Sequence, residues 1–241
     1  MPGKGNNHSV TTDPLVLMDE VDRATARLLA TAESLDGDPA TPSLLPGWTR
    51  GHLLTHVARN ADGLVNLLTW ARTGVPTPQY PSWEQREADI AAGAGRPWSV
   101  LLADVRESAE RFAKAAEALS AEQWGGHLEL PRGPQAVARV PWRRLREVEV
   151  HHVDLAAGYT AADWPEAFAH RVLHEVARGL DGVNLTLRPD GVGHRLPVGS
   201  GGSPEVSGPA YALAAWLAGR SPGDDLTVEP PGPLPAVPDW I

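Results

Sequence analysis

One run of nine residues, REVEVHHVD (146–154), gathers Glu147, Glu149, His151, His152 and Asp154. If the run is helical, Glu147 and His151, four apart, share one face and can grip a single ion together. Carboxylate and imidazole are standard zinc ligands, and a catalytic zinc takes three protein ligands and keeps one position open. Di-metal helical bundles use a comparable inward Glu/His pair. A third ligand could come from LLPGWTRGHLLTHVARNADGL (44–64), where His52 and His56 also stand four apart. The same spacing also describes a solvated ion pair, and a lone histidine on a helix can simply be packing.

Helical wheels at about 100° per residue sort these side chains. His152 falls on the apolar face with Trp142, Leu145, Val148 and Ala156, and reads as packing; Glu147 and His151 lie off that face. In the other stretch Leu53, Val57, Ala61, Leu64 and Leu68 define the apolar stripe. His52 points nearly opposite, while His56 sits closer to the stripe's edge beside Asn60, which favours His56.

The elements that must hold these residues are mostly helices. DPLVLMDEVDRATARLLATAESL opens with Asp13 as N-cap and Pro14 at the first helical position. A second helix is predicted from about Thr49 to Arg72, stopping at Gly74 and Pro76. Ser82 and Gln85 stand in capping-box spacing at the head of a short helix inside a long crossover. PWSVLLADVRESAERFAKAAEAL gives a third long helix, and PWRRLREVEVHHVDLAAG a fourth, between Pro141 and Gly158. Four long amphipathic helices pack most simply as a four-helix bundle. Beyond GYTAADWP the texture changes: two helices, PEAFAHRVLHEVARGLDG and PAYALAAWLAGR, alternate with short strands at NLTLRPD, GHRLPVG, PEVSG and DDLTVEP. That mixture predicts a small α/β domain. The expected organisation is a mobile lead-in over 1–13, a metal-binding bundle over 14–160 and the α/β domain over 161–241. GSGGS (199–203) lacks the Lys-Ser/Thr of a phosphate loop and reads as a flexible turn. The nine tryptophans, set against two Phe and three Tyr, read as aromatic core.

Composition closes off several classes. The 241 residues carry 21 Lys and Arg against 30 Asp and Glu, a net charge of −9, with no basic block. Nucleic acid and anionic membrane surfaces, which need clustered cations, are not the expected partners. No apolar run approaches the roughly 20 residues of a membrane span, and the N-terminus lacks the apolar centre of a secretory signal. A cytoplasmic monomer acting on small molecules is expected. Cysteine is absent altogether, which removes disulfides, thiolate zinc ligands and a cysteine nucleophile. Any sulfur chemistry must use a thiol from outside.

Four strings in order, LPGWTRGHLLTHVARNADGL, LTWARTGVPTPQY, RLREVEVHHVDL and WLAGRSPG, resemble the mycothiol-dependent maleylpyruvate isomerases. These belong to the wider DinB-like group of metal-dependent helical bundles that use a thiol. The resemblance runs from about residue 14 to the closing PDWI and implies a sterol-carrier-like C-terminal domain. It implies zinc held by His56, eight residues after the Trp of GWTR, and by Glu147 and His151 of the REVxxH string. His52, Glu149 and His152 are left without a metal role, and Arg220 of AGR is implicated in catalysis, acting from the second domain. The implied reaction is conversion of maleylpyruvate, or a close analogue, to fumarylpyruvate in aromatic catabolism, with mycothiol as cosubstrate. The alternative on the same site is a mycothiol S-transferase that releases the adduct; a metal-binding module without catalysis is a third reading.

Overall fold

The computed structural model describes residues 13–131 and 133–238; the expected mobile lead-in lies, except for Asp13, outside them. The chain divides into two compact units, Met1–Ala157 and Gly158–Ile241.

The first unit is built on four long helices: α1 (Pro14–Glu33), α2 (Arg50–Thr73), α4 (Trp98–Glu117) and α6 (Val140–Asp154). α2 packs against α4 and α6, and α1 against α6 and α4, so each helix has two long neighbours and a bundle closes. Asp13 caps α1 as expected, accepting from the Leu15 N–H at 2.9 Å, and α1 buries Leu17, Val21, Ala24, Leu28 and Ala32 at helical spacing. α2 is buried on more than the predicted stripe: Leu54, Ala58 and Leu67 join Leu53, Val57, Ala61, Leu64 and Leu68 in the core. The extra burial follows from a further neighbour, the short helix α3 (Trp83–Gly93) in the crossover. α3 can approach because residue 51 is glycine: a Cβ there would sit 2.0 Å from the Ala94 carbonyl oxygen. Ser82 caps α3 through the Gln85 N–H, whereas the Gln85 side chain donates to Asp89.

Other features differ from the sequence reading. A short α5 (Ala121–Trp124) and an antiparallel hairpin, β1 (His127–Leu130) with β2 (Gly133–Ala136), fill the stretch between α4 and α6. The fourth long helix ends at Asp154 rather than continuing towards Gly158, and Ala156 is exposed with φ +55°. The guanidinium of Arg50 takes the carbonyls of Leu155 and Ala156, 2.9 and 2.6 Å away, which satisfies the acceptors just past the helix end without another helical turn. Of the nine tryptophans, Trp124, Trp142, Trp164 and Trp216 are buried core, but Trp83 is 66% exposed.

The second unit holds α7 (Glu166–Gly179), β3 (Leu185–Pro189), β4 (Leu196–Val198), β5 (Glu205–Gly208), α8 (Ala210–Leu217) and β6 (Thr227–Glu229). Its sheet has the order β4-β3-β5-β6, with β3 and β5 parallel and the outer pairings antiparallel. The two helices pack on each other and on the sheet, covering inward residues such as Leu185, Leu187 and Val206. In the GSGGS turn the Asn184 carboxamide oxygen accepts from both the N–H and the hydroxyl of Ser200. Among the described residues no helix is long and apolar enough to cross a membrane.

Candidate metal centre

The start of α2 and the end of α6 are tied together, which sets the height of one against the other. Besides the Arg50 clamp, the Leu44 N–H donates to the Asp154 carbonyl at 2.9 Å. At the first turn of α2, Thr49 and His52 form a reciprocal capping box: the Thr49 hydroxyl accepts from the His52 N–H, and His52 Nδ1 accepts from the Thr49 N–H. This arrangement gives His52 a structural task away from the metal cluster. Further along, Arg144 on α6 is fully buried and reaches across to α2. Its Nη1 donates to the Val57 carbonyl at 2.7 Å and to Asn60 Oδ1 at 3.1 Å. Burial lowers its pKa to about 10.

Between these ties, His56, Glu147 and His151 converge. His56 Nε2 lies 3.0 Å from Glu147 Oε2 and 3.0 Å from His151 Nε2, and His151 Nε2 lies 3.5 Å from Glu147 Oε2. Ligands held 2.0–2.2 Å from one zinc ion stand roughly 3.4 Å apart at tetrahedral angles, so the triangle has the size of a metal site. Two imidazoles and one carboxylate are also a fitting donor set for zinc. The pair of ring nitrogens at 3.0 Å has at most one proton to share, an arrangement that a cation between them would satisfy better.

Asp154 orients the cluster from behind. His151 Nδ1 donates to Asp154 Oδ2 at 2.9 Å, which in the neutral ring leaves the lone pair on Nε2, facing His56 and Glu147. Such a carboxylate behind a ligating histidine fixes tautomer and ring direction. Burial opposes charge on His151, but the bonds to Asp154 and Glu147 outweigh it and raise the pKa above the ordinary imidazole value. Burial likewise pushes Glu147 up, yet bonds to His151 and His56, with their charges, bring it well below the usual carboxylate range. His56 is 3% exposed, and desolvation lowers it to about 4, so it is neutral near pH 7. Replacing Asp154 by Asn should therefore lower zinc affinity about 10- to 100-fold with an unchanged circular dichroism spectrum. Chelator competition measures the loss.

Around the three lie residues that the sequence reading left without a role. Trp48 meets His56 edge-on, with ring centroids 5.5 Å apart. Arg86, from α3, places Nη2 3.0 Å from His56 Nδ1 and is flanked by the rings of Tyr80 and Trp83, 5.7 and 5.6 Å from its guanidinium carbon. Gly63 lets this crossover lie close to α2, since a Cβ there would meet Gln79 and Tyr80 within 3 Å. The other acidic and basic candidates are occupied elsewhere. Glu149 pairs with Arg27 at 2.5 Å, and His152, 1% exposed, bonds the Thr31 hydroxyl at 2.8 Å within the packing of α1 on α6. Arg220 is half-buried in the second unit, just beyond α8. Its backbone N–H donates to the Ala215 carbonyl at 2.8 Å and its Nη1 to the Ala218 carbonyl at 2.7 Å.

Comparison with known proteins agrees along the whole chain. Residues 21–156 match the mycothiol maleylpyruvate isomerase N-terminal domain, and residues 160–239 match the MDMPI C-terminal domain. A crystal structure of the mycothiol-dependent maleylpyruvate isomerase aligns with TM-score 0.89 and 30% identity, over 98% of this chain and 100% of that one. A second, of a mutant with one histidine changed to alanine, aligns with TM-score 0.88, the same identity and the same coverage. No curated protein sequence matches. With both domains matched in order and the fold shared end to end, the chain belongs to the mycothiol-dependent maleylpyruvate isomerase family of enzymes.

Proposed function

We propose that this protein is a zinc- and mycothiol-dependent cis–trans isomerase that converts maleylpyruvate, or a close analogue, to fumarylpyruvate. The observation that carries the proposal is the convergence of His56 Nε2, Glu147 Oε2 and His151 Nε2, with His151 oriented by Asp154. These three atoms would hold the zinc, which when bound favours the thiolate form of an incoming thiol near neutral pH.

The reaction is a reversible addition. The thiolate sulfur bonds to one carbon of the cis double bond, and the π electrons move onto the conjugated carbonyl as an enolate. The remaining single bond rotates, the enolate returns its electrons, and the carbon–sulfur bond breaks to leave the trans alkene and the original thiolate. The protein itself contributes no thiol, having no cysteine. Trp48, packed edge-on against His56, keeps water from one side of that ring. Arg220, a permanent cation with a forked donor set, is proposed to stabilise the enolate or a substrate carboxylate. The site acts on small molecules, with neither nucleic acid nor membrane as partner, in the cytoplasm.

Incubating the zinc-loaded protein with mycothiol and maleylpyruvate tests this directly. Fumarylpyruvate with thiol returned is the expected product. A stable mycothiol conjugate would make the protein an S-transferase, and no reaction would remove both readings.

A further inference from the structure

The accessible edge of the metal cluster is cationic. Side-chain exposure is 21% at Arg146, 16% at Glu147 and 15% at Arg86, against 8% at His151, 4% at His56 and 1% at Asp154. Arg86 and Arg146, the latter ion-paired with Glu147 at 3.5 Å, thus place two guanidinium groups beside the most exposed of the three proposed ligands. Arg143 adds a third positive charge next to them. Its two bonds go to the neutral amide oxygens of Gln79 and Gln135 rather than to a carboxylate.

Arg86 is the member of this group with a bond, to His56 Nδ1, that metal loading would break. A guanidinium only donates, so its 3.0 Å contact with His56 Nδ1 needs the lone pair there. In the neutral ring the proton is then on Nε2, where Glu147 Oε2 accepts it at 3.0 Å. A metal held at Nε2 would need the lone pair of that nitrogen, so the ring proton would sit on Nδ1 instead. Arg86 and Nδ1 would then face each other as two donors, and Arg86 would lose an acceptor. What remains to Arg86 is the neighbouring carboxylate of Glu87, which is 58% exposed, its hydrogen bond to the Tyr80 hydroxyl and the face of Trp83. The Trp83 ring holds the guanidinium without using its N–H groups.

Taking the zinc site of the proposed function as given, we infer that metal loading frees Arg86 to receive a carboxylate of the substrate. Arg86 is thus a substrate-binding residue that couples an occupied metal site to recognition of a dicarboxylate. Its planar fork suits bidentate binding of a carboxylate, and Arg143 and Arg146 strengthen the local positive potential. A neutral electrophile would gain nothing from these groups.

The test uses the full chain loaded with zinc, and maleate, a cis dicarboxylate without the reactive ketone, as the probe. Isothermal titration should show maleate binding to the wild type, and R86M and R86Q should weaken it at least about tenfold, the scale of a charge-assisted pair. Zinc content should stay at the wild-type level in both variants. Glutamine is included because its oxygen can accept from His56 Nδ1–H, which keeps the metal-loaded ring supported. Long-range proton–nitrogen spectra should place the His56 proton on Nε2 without metal and on Nδ1 with zinc. Wild-type-like maleate binding in R86Q, no maleate binding by the wild type, or loss of zinc from both variants would overturn the inference. A wild type that binds zinc and maleate but makes no fumarylpyruvate would instead overturn the proposed reaction and leave this one standing.

Discussion

His56→Ala should leave the protein folded and nearly devoid of zinc, whereas His52→Ala should bind about one zinc per chain like the wild type. Both histidines lie on α2, four residues apart, so sequence position alone scarcely separates them. Their partners do. His56 points its Nε2 at Glu147 and His151, and removing it takes away one of three proposed ligands. His52 spends Nδ1 on the Thr49 N–H at the head of the helix. Its loss costs a capping contact worth about 1 kcal/mol, to be seen as a modest fall in melting temperature. Metal analysis of the two purified variants decides the matter, and zinc lost from His52→Ala but kept in His56→Ala would reverse the assignment.

Arg220→Ala should retain zinc and melting temperature yet lose at least about a hundredfold in turnover, the order expected for one electrostatic stabiliser. Because such a group acts mainly in the transition state, kcat and kcat/KM should fall together. The family resemblance supplies the role. A plainer role is also available, since arginine is common near helix C-termini, where it meets the negative end of the dipole. Arg220 follows α8 and bonds the Ala218 carbonyl, as that plainer role requires. The two roles part in the assay: near-normal turnover in the zinc-loaded variant leaves Arg220 as a helix terminator. The proposed ligands belong to the first unit and Arg220 to the second, so a loss of turnover would tie the second unit to the reaction.

The long helices were legible because each buries a continuous face: Leu17, Val21, Leu28 on α1 and Leu53, Val57, Leu64 on α2 repeat at helical spacing. The Glu147–His151 pair was legible for the same reason, four residues being one turn. His56 was only weakly indicated, since the wheel treats α2 as one-sided while α3, α4 and α6 all pack on it. The hairpin β1–β2 escaped notice because its strands are four residues each and one contains Pro134. Asp154 stood in the acidic and histidine cluster from the start, and its spacing of three from His151 was the available signal. Arg86 carried none. It is 30 residues from His56 in sequence, and the contact exists only because the crossover folds back over α2. The early end of α6 was equally hidden, because Arg50, which takes the carbonyls of Leu155 and Ala156 just beyond it, lies more than 100 residues upstream.

The buried Arg144 bears on which of several packings the chain adopts. Apolar helices in a bundle can trade one interdigitation for another by sliding a turn, about 5.4 Å, at little loss of oily contact. Arg144 does not share that tolerance. Its fully buried guanidinium finds the Val57 carbonyl and Asn60 Oδ1 at one offset of α6 against α2. At a neighbouring offset it would be a desolvated charge without those acceptors, at a cost of several kcal/mol. Val57 adjoins His56, and Arg144 stands three residues before Glu147. Arg144 therefore acts chiefly as a penalty on misaligned packings, and the packing it spares is the one that brings His56 level with Glu147 and His151.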